Sequence, residues 1–135
     1  DMIIDRVKTE DAIPYWDYDA PVTKETPRDV SAASVTASAM IELSTMVPDG
    51  QKYLDYAEKI LKSLSSDAYL AKVGDNQGFI LMHSVGSLPN GSEIDTPLNY
   101  ADYYYLEALK RFMELKKLRV ENGELRMNSN RNLKQ

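Results

Sequence analysis

The sequence predicts an all-α fold with one small β-hairpin near its C-terminus. Residues 51–65 and 98–115 carry apolar side chains at the i, i+3 and i+4 spacing of amphipathic helices. Residues 31–39 read SAASVTASA, and such small side chains allow neighbouring helices to approach from several directions. The 135 residues suffice for one domain with a modest core. We therefore expect a single helical domain, or a part of one.

The composition excludes several classes of function. The chain has 16 Lys and Arg against 21 Asp and Glu, and its net charge of −5 argues against a nucleic-acid partner. No apolar run approaches the length of a membrane span, so we expect no membrane partner either. The chain has no cysteine and one histidine, which removes disulfides, thiol nucleophiles and metal sites rich in Cys or His. Phosphate-binding loops and catalytic-triad motifs are also absent from the sequence.

Residues 1–28 form a loop-rich first segment. The chain starts at Asp1 without an initiator methionine or a signal-peptide pattern, so we expect a piece of a longer protein in which residues 1–9 end a helix. Trp16 follows in an acidic, aromatic loop between two prolines. An aromatic ring beside carboxylates is typical of a sugar site, and the alternative is that Trp16 fills the core.

Two helices are expected to follow as an antiparallel pair. The first starts at Asp29 or Ser31, either of which can cap it, and ends near Met46. Its small residues predict an inner helix that is surrounded by others. The turn at residues 48–50 leads to the helix of residues 51–65, whose polar face predicts an outer position.

The polar stretch from Ser84 to Pro97 is expected to be a long loop with a tight turn at residues 89–91. Long ordered loops inside compact domains are usually functional. His83 precedes this loop, after an apolar segment at residues 79–82 that is either a brief strand or an extended buried segment. His83 itself either contacts a ligand or is satisfied by backbone hydrogen bonds.

A helix from about Leu98 to Leu115 or beyond follows the polar loop, and Tyr100 and Tyr103 occupy its first turns beside that loop. Residues 118–127 then alternate apolar and polar side chains around Asn122-Gly123, which predicts the β-hairpin. Residues 128–135 are polar and are expected to be frayed.

Three motifs carry a resemblance to a known family. They are PYWDYDAP at residues 14–21, Pro-Arg-Asp at residues 27–29 before the Ser/Ala helix, and the stretch at residues 78–111. Over about Ile13 to Leu115 they resemble the C-terminal part of the unsaturated glucuronyl hydrolases, glycoside hydrolase family 88. The unsaturated rhamnogalacturonyl hydrolases of family 105 are the nearest alternative, and the Trp-Asp-Tyr-Asp-Ala-Pro and His-Ser-Val-Gly segments favour family 88.

The resemblance implies the C-terminal portion of a six-hairpin α/α toroid, in which inner and outer helices alternate. Family members remove 4,5-unsaturated glucuronic acid from oligosaccharides that polysaccharide lyases produce. An aspartic acid protonates C4 of the enol ether, water adds at C5, and the hemiketal collapses; no metal or organic cofactor is needed. The family's catalytic aspartates lie in its N-terminal half, which has no counterpart here, so we assign no catalytic residue to this chain.

What the resemblance does assign is one wall of the substrate pocket. The expected substrate contacts are Trp16, His83, Ser84, Ser87, and Tyr100 or Tyr103. In some members that act on glycosaminoglycans, a Ser-x-x-Ser-x-Lys motif contacts a sulfate group. Both serines match at residues 84–89, but Pro89 replaces the lysine. The expected partner is an unsaturated uronic-acid oligosaccharide derived from a glycosaminoglycan.

The chain would supply about a third of such a toroid, with helical hairpins and the substrate loop at residues 29–117 and a tail at residues 118–135. Surface that other hairpins normally cover would be exposed, which predicts self-association or rearrangement of the segment alone. Two other functions stay open. One alternative is a helical binding module without catalysis. The other is membership of the rhamnogalacturonan-specific family.

Overall fold

Helices make up most of the chain. The computed structural model describes residues 1–132, with side chains described for residues 1–123. Its elements are α1 (Met2–Arg6), α2 (Val30–Met46), α3 (Gln51–Leu64), β1 (Ser84–Ser87), β2 (Ser92–Thr96) and α4 (Asn99–Asn132). None of the helices in the described part of the chain is long and apolar enough to cross a membrane. The last three residues of the tail predicted to be frayed lie outside the described residues.

Helix α2 is the central element, as the small-residue pattern predicts. It packs against both α3 and α4, whereas α3 and α4 have fewer contacts with each other. Ser34 and Ser38 are almost completely buried, and both hydroxyls are satisfied. Ser34 donates to the carbonyl of Val30 at 2.8 Å, and Ser38 donates to a Glu107 carboxylate oxygen at 2.5 Å. These small polar side chains therefore let three helices come close while their own hydroxyls stay paired.

Helix α3 is amphipathic and lies on the outside, also as predicted. Its apolar stripe faces the core, and its buried residues are Leu54, Ala57, Ile60, Leu61 and Leu64. The turn before it depends on Gly50, which is buried and has an ordinary helical φ of −68°. A Cβ at this position would overlap the carbonyl oxygen of Ser44. Gly50 is needed here for space, so that the end of α2 can pass close to the start of α3.

Helix α4 continues far beyond the predicted end, and the β-hairpin predicted at residues 118–127 is wrong. The helix spans 34 residues and includes Asn122-Gly123. Lys116 on α4 contacts Glu58 on α3 at 3.3 Å, and Arg119 donates to Gln51 at 3.1 Å, so the helix is supported from the side. Extending an established helix outweighs the cost of one glycine, about 1 kcal/mol, whereas an isolated hairpin is marginal.

The small β-hairpin of this fold lies at residues 84–96, in the stretch predicted to be a loop. Strands β1 and β2 pair antiparallel, with Val85 opposite Ile94. A 3₁₀ turn at residues 88–90 joins them, and Gly91 closes it with φ = 66°, a left-handed conformation that glycine adopts without strain. The Pro-Asn-Gly turn signal was correct, and the strands on either side of it were missed.

The segment that leads into this hairpin is extended and partly buried. Leu81 is fully buried and pairs with Leu70 in a single antiparallel bridge. The amide of Met82 donates to the carbonyl of Tyr69 at 2.9 Å, and the amide of Ala71 donates to Ile80 at 2.9 Å. This arrangement confirms the second of the two alternatives for residues 79–82.

Replacing Gly123 with alanine distinguishes the observed helix from the predicted hairpin. In a helix, Gly123→Ala should raise the free energy of unfolding by up to about 1 kcal/mol, since a Cβ there meets no other atom. In a two-residue hairpin turn the same change would destabilise, because glycine supplies a positive φ. Urea denaturation measures the difference. Gly50→Ala is the control and should lower stability, because its Cβ overlaps Ser44.

Candidate functional site

The β-hairpin is fixed to the N-terminus of α2 by two reciprocal hydrogen bonds. The amide of Val30, the first residue of α2, donates to the carbonyl of His83 at 3.2 Å. In return, the amide of Val85 donates to Oδ1 of Asp29 at 3.3 Å. Asp29 is 8% exposed, so this contact is largely shielded from water. The pair of bonds places the hairpin, and with it the predicted contacts on residues 83–87, at the end of the helix.

Asp29 has a double role because it also caps α2. Its Oδ1 accepts the amide of Ser31 at 2.9 Å and the Ser31 hydroxyl at 2.6 Å. Of the two capping residues that the sequence allows, the structure uses Asp29. A carboxylate at this end also interacts favourably with the helix dipole. One oxygen atom therefore serves the helix start and the hairpin together.

His83 is held in an unusual backbone conformation, with φ = 70°. Its ring lies edge-on to Tyr69, with 6.3 Å between the ring centroids. Nδ1 of the ring is 2.6 Å from Oδ1 of Asp95, a side chain of β2. The His83 side chain is 42% exposed and that of Asp95 is 60% exposed. The imidazole is thus contacted on two sides by protein and remains open to solvent.

A polar network lies behind His83. The hydroxyl of Tyr69 donates to Oδ2 of Asp11 at 2.6 Å, and Arg28 donates to Oδ1 of the same carboxylate at 3.1 Å. Burial raises the pKa of the Tyr69 hydroxyl well above its ordinary value, and the contact with Asp11 raises it further. Partial burial acts to raise the pKa of Asp11 as well. However, hydrogen bonds from Tyr69 and the Ile13 amide, with the charge of Arg28, outweigh burial and lower it.

Two side chains fix the backbone just before His83. Asp102, in the first turn of α4, accepts the amide of Ile80 at 2.8 Å and the amide of Leu81 at 2.9 Å. The side-chain amide of Asn76 donates to the carbonyl of Leu81 at 2.9 Å. Helix α4 therefore positions the His83 segment through one carboxylate that uses both of its oxygens.

The structure brings four of the predicted contacts into one region. His83, Ser84 and Ser87 lie on or beside β1. Ser84 is fully buried, and its hydroxyl has no partner within the described residues, so it faces the interior rather than solvent. Ser87 is partly exposed and accepts a hydrogen bond from Asn90 at 2.8 Å.

Tyr100 is the fourth residue of this region, and it joins the hairpin through the start of α2. Its side chain is 43% exposed. Partial burial raises the pKa of its hydroxyl, the nearby carboxylates of Asp29 and Glu93 raise it further, and the hydroxyl of Ser31 acts in the opposite direction. Tyr100 therefore feels the charge of the helix cap to which the hairpin is bound.

Tyr103 and Trp16 are not joined to this region by hydrogen bonds in the described part of the chain. Tyr103 is 61% exposed and packs edge-to-face on Tyr104, with 5.1 Å between the centroids. Trp16 is half-buried in the loop before α2, where its amide donates to the carbonyl of Pro27 at 3.1 Å. Of the two tyrosines considered as equivalents, Tyr100 has an electrostatic link to the hairpin, through the effect of Glu93 on the pKa of its hydroxyl.

The sequence prediction missed the residues that hold the site together. Asp29 was predicted only as a possible helix cap, and neither Asp95 nor Tyr69 was predicted to take part in the site. The turn at Asn90-Gly91 could have identified Asp95, because a hairpin closed there brings residues 94–96 opposite residues 84–85. The contact between Tyr69 and His83 comes from tertiary packing alone, which local patterns do not reveal.

The region offers chemistry that suits a sugar ligand. It combines an exposed imidazole, a tyrosine hydroxyl and a serine hydroxyl with the faces of aromatic rings. The stretch from His83 to Thr96 contains no Lys or Arg, while Glu93 and Asp95 give it negative charge. A sulfate group would find no cation on this hairpin, in agreement with the replacement of the motif lysine by Pro89.

Comparison with known proteins gives consistent relatives over most of the chain. An unsaturated glucuronyl hydrolase of Formosa agariphila is 48% identical over 106 residues, which are 78% of this chain and 26% of that protein. An unsaturated chondroitin disaccharide hydrolase of Streptococcus pyogenes serotype M1 is 32% identical over 107 residues, which are 76% of this chain and 27% of that protein. No protein-family model matches the chain.

Solved structures agree with these relatives. The crystal structure of an unsaturated glucuronyl hydrolase specific for heparin superposes with a TM-score of 0.79 at 66% identity, and covers 81% of this chain and 29% of that protein. An aspartate-to-asparagine variant of the Streptococcus agalactiae enzyme, complexed with dGlcA-GalNAc6S, superposes with a TM-score of 0.71 at 32% identity over 79% of this chain and 29% of that protein. The predicted fold, part of a helical toroid, is confirmed. The chain spans 26–27% of the length of the two curated relatives.

Removing the Asp29 carboxylate should loosen both elements that it joins. Asp29→Ala loses a helix cap and leaves the buried amide of Val85 unpaired, so we expect it to lower the free energy of unfolding by roughly 2–3 kcal/mol. Asp29→Asn keeps one acceptor oxygen and should cost less than half as much. Urea denaturation gives the stabilities, and hydrogen exchange at the Val85 amide reads the hairpin contact. If that amide stays protected in Asp29→Ala, the bridging role is wrong.

The contact between Tyr69 and Asp11 should make stability depend on acid pH. The pKa of Asp11 is lowered in the folded state, so its ionised form favours folding above its ordinary value of 3.8, and this stabilisation is lost as the pH falls through the lowered value. Tyr69→Phe should cost roughly 1 kcal/mol at neutral pH, and its difference from the unmodified protein should shrink below that value. Denaturation at several pH values measures it. Tyr105→Phe, which loses a bond to Ser65 instead, should cost the same at every pH.

Proposed function

We propose that this chain, a segment of the unsaturated glucuronyl hydrolase family, forms one wall of the site that binds the unsaturated uronic acid. The 48% identity to the Formosa agariphila enzyme over most of the chain carries this proposal. The hairpin supports it independently, because polar and aromatic groups of three elements meet there. They are the histidine before β1, the start of α4 and the capped end of α2.

The whole protein would hydrate an enol ether. A proton is delivered to C4 of the unsaturated sugar, and water adds its oxygen to C5. The resulting hemiketal opens, the glycosidic bond breaks, and the neighbouring sugar leaves with its hydroxyl group restored. The acid that delivers the proton would come from a part of the protein that corresponds to the remaining three quarters of the relatives, so none of the carboxylates described above is given that role.

The part of this chain would be to hold and orient the sugar. His83 presents its free ring nitrogen, Nε2, on the open side of the ring, while Nδ1 is occupied by Asp95. The Tyr100 hydroxyl and the Ser87 hydroxyl add polar contacts. Trp16 and Tyr103 would supply aromatic surface for the C–H faces of more distant sugar units. Ser84, being buried, would support the hairpin rather than contact ligand directly.

The substrate class follows from the relatives together with the charge of the hairpin. Glycosaminoglycan-derived disaccharides are the proposed substrates, since relatives act on chondroitin and heparin products by name. Glu93, Asp95 and the absence of a motif lysine make a sulfate contact at the hairpin unfavourable. We therefore place any sulfate preference of this protein outside residues 83–96.

The segment alone would expose apolar surface. Side chains that are more than half exposed include Met46 on α2 and Met113, Leu118 and Val120 on α4. In the complete toroid other helices would cover them. Isolated residues 1–135 would instead self-associate, which sedimentation velocity would detect, and would not turn over substrate.

The test is an activity assay on the protein that contains this chain in full. Hydrolysis of unsaturated chondroitin, heparin or hyaluronan disaccharides should remove the ultraviolet absorbance of the conjugated double bond. His83→Gly should lower kcat/KM about tenfold, chiefly through KM, because it removes a binding contact while glycine accepts the left-handed backbone. Activity confined to rhamnogalacturonan products, or no effect of His83→Gly, would contradict the proposal.

A further inference from the structure

Strand β2 contains a β-bulge, and Asp95 is its extra residue. Ser84 pairs with Thr96 and Val85 pairs with Ile94, so one step along β1 corresponds to two steps along β2. Asp95 falls between these pairs and has φ = 51°. A bulge bends a strand and redirects the extra side chain. Here that side chain points at the ring of His83, with 2.6 Å between Oδ1 and Nδ1.

Both partners of this hydrogen bond are in left-handed backbone conformations. His83 has φ = 70° and Asp95 has φ = 51°, and neither is a glycine. Such conformations cost a non-glycine residue free energy and persist only where the surrounding structure maintains them. An exposed ion pair stabilises proteins little, so stability alone is a poor reason to keep two such residues. Their conformations bring one carboxylate and one imidazole together.

The contacts of the ring leave one nitrogen available. Tyr69, which is buried and tied to Asp11, meets the ring edge-on and limits its rotation. An ionised Asp95 accepts the proton of Nδ1, because an ionised carboxylate has no proton to donate. Nε2 then lies on the opposite side of the ring as an unprotonated acceptor in the neutral form, or as a second donor in the charged form.

We propose that Asp95 is a positioning residue that fixes the ring orientation and the tautomer of His83, so that Nε2 is the atom presented to the sugar. This inference rests on the proposed function, in which His83 contacts substrate. The ligand group that Nε2 would meet is a sugar hydroxyl, which can donate to the neutral ring and accept from the charged one. Asp95 itself would not touch the substrate.

The neighbouring Glu93 provides a matched comparison. It lies two residues away on the same strand, has the same φ of 51° and is also exposed. Its side chain covers Gly86, where a Cβ would overlap it, and it makes no hydrogen bond to His83 within the described residues. Replacing Glu93 therefore changes charge and backbone strain as much as replacing Asp95 does, without removing the partner of the imidazole.

The experiment is a double-mutant cycle in the protein that contains this chain in full. The single variants are Asp95→Gly, Asp95→Asn, Glu93→Gly and His83→Gly. Two double variants combine His83→Gly with Asp95→Gly or with Glu93→Gly. Glycine relieves the left-handed conformation at each position, so these changes should not lower the unfolding temperature. Asp95→Asn keeps an oxygen that can accept the Nδ1 proton. Each variant is characterised by kcat and KM on an unsaturated glycosaminoglycan disaccharide.

Asp95→Gly should lower kcat/KM roughly tenfold, with most of the change in KM, because the ring loses its orientation. Asp95→Asn should retain most of the activity. In the His83→Gly background, Asp95→Gly should have no further effect, whereas any effect of Glu93→Gly should be the same in both backgrounds. An Asp95→Gly variant with unchanged kcat/KM, or with the same loss when His83 is absent, overturns the inference while leaving the proposed function intact.

A second readout requires no turnover. The ring-nitrogen chemical shifts of His83, identified as the signals missing from His83→Gly, should show a proton on Nδ1 in the unmodified protein. Asp95→Gly should lose this signature, and Glu93→Gly should keep it. A failure of the proposed function would appear as lack of hydrolysis with this signature still present. A proton found on Nε2 alone, with Nδ1 bare, overturns the inference whether or not the protein is active.

Discussion

The pair of hydrogen bonds between the start of α2 and the hairpin is the constraint on which the site depends. A two-stranded hairpin has little stability of its own, and the β2 side of this one is almost entirely exposed. Its position comes from the amide of Val30 and the carboxylate of Asp29, both at the end of the most buried helix of the chain. The buried helical core therefore determines the position of the hairpin.

The candidate site has supporting residues on its buried side and exposed polar groups on its solvent side. Behind the ring of His83, Tyr69, Asp11 and Arg28 form a continuous chain of hydrogen bonds, and Asp102 holds the preceding backbone. On the open side, His83, Asp95 and Tyr100 are between 42% and 60% exposed. Binding sites need ligating groups whose rotamers are restricted by supporting contacts. The supporting contacts come from three parts of the chain, namely the segment before α2, the segment after α3 and the first turn of α4. The exposed groups lie on the hairpin and on α4.

The helices could be predicted from the sequence, and the contacts between elements could not. Small residues in α2 and the apolar stripe of α3 are local patterns, and both predict burial correctly. The two Asn-Gly dipeptides show the limit of such patterns, because Asn90-Gly91 closes a hairpin and Asn122-Gly123 lies within a helix. The difference comes from tertiary contacts. Helix α2 holds the hairpin that contains Asn90-Gly91, and α3 supports the helix that contains Asn122-Gly123. His83, Ser87 and either Tyr100 or Tyr103 were proposed from the sequence and its resemblance, whereas Asp95 became visible only with the register of the strands.

On the side of the hairpin, the bonds that anchor it to α2 are made by backbone atoms. The groups of the hairpin that α2 recognises are the carbonyl of residue 83 and the amide of residue 85, which every amino acid except proline can offer at those places. Side chains from residue 87 to residue 93 make no hydrogen bond to α2 in the part of the chain that the structure describes. This stretch can therefore change in composition during evolution while the framework stays in place. A new set of exposed side chains can thus be presented at one fixed position by changing the tip of one hairpin.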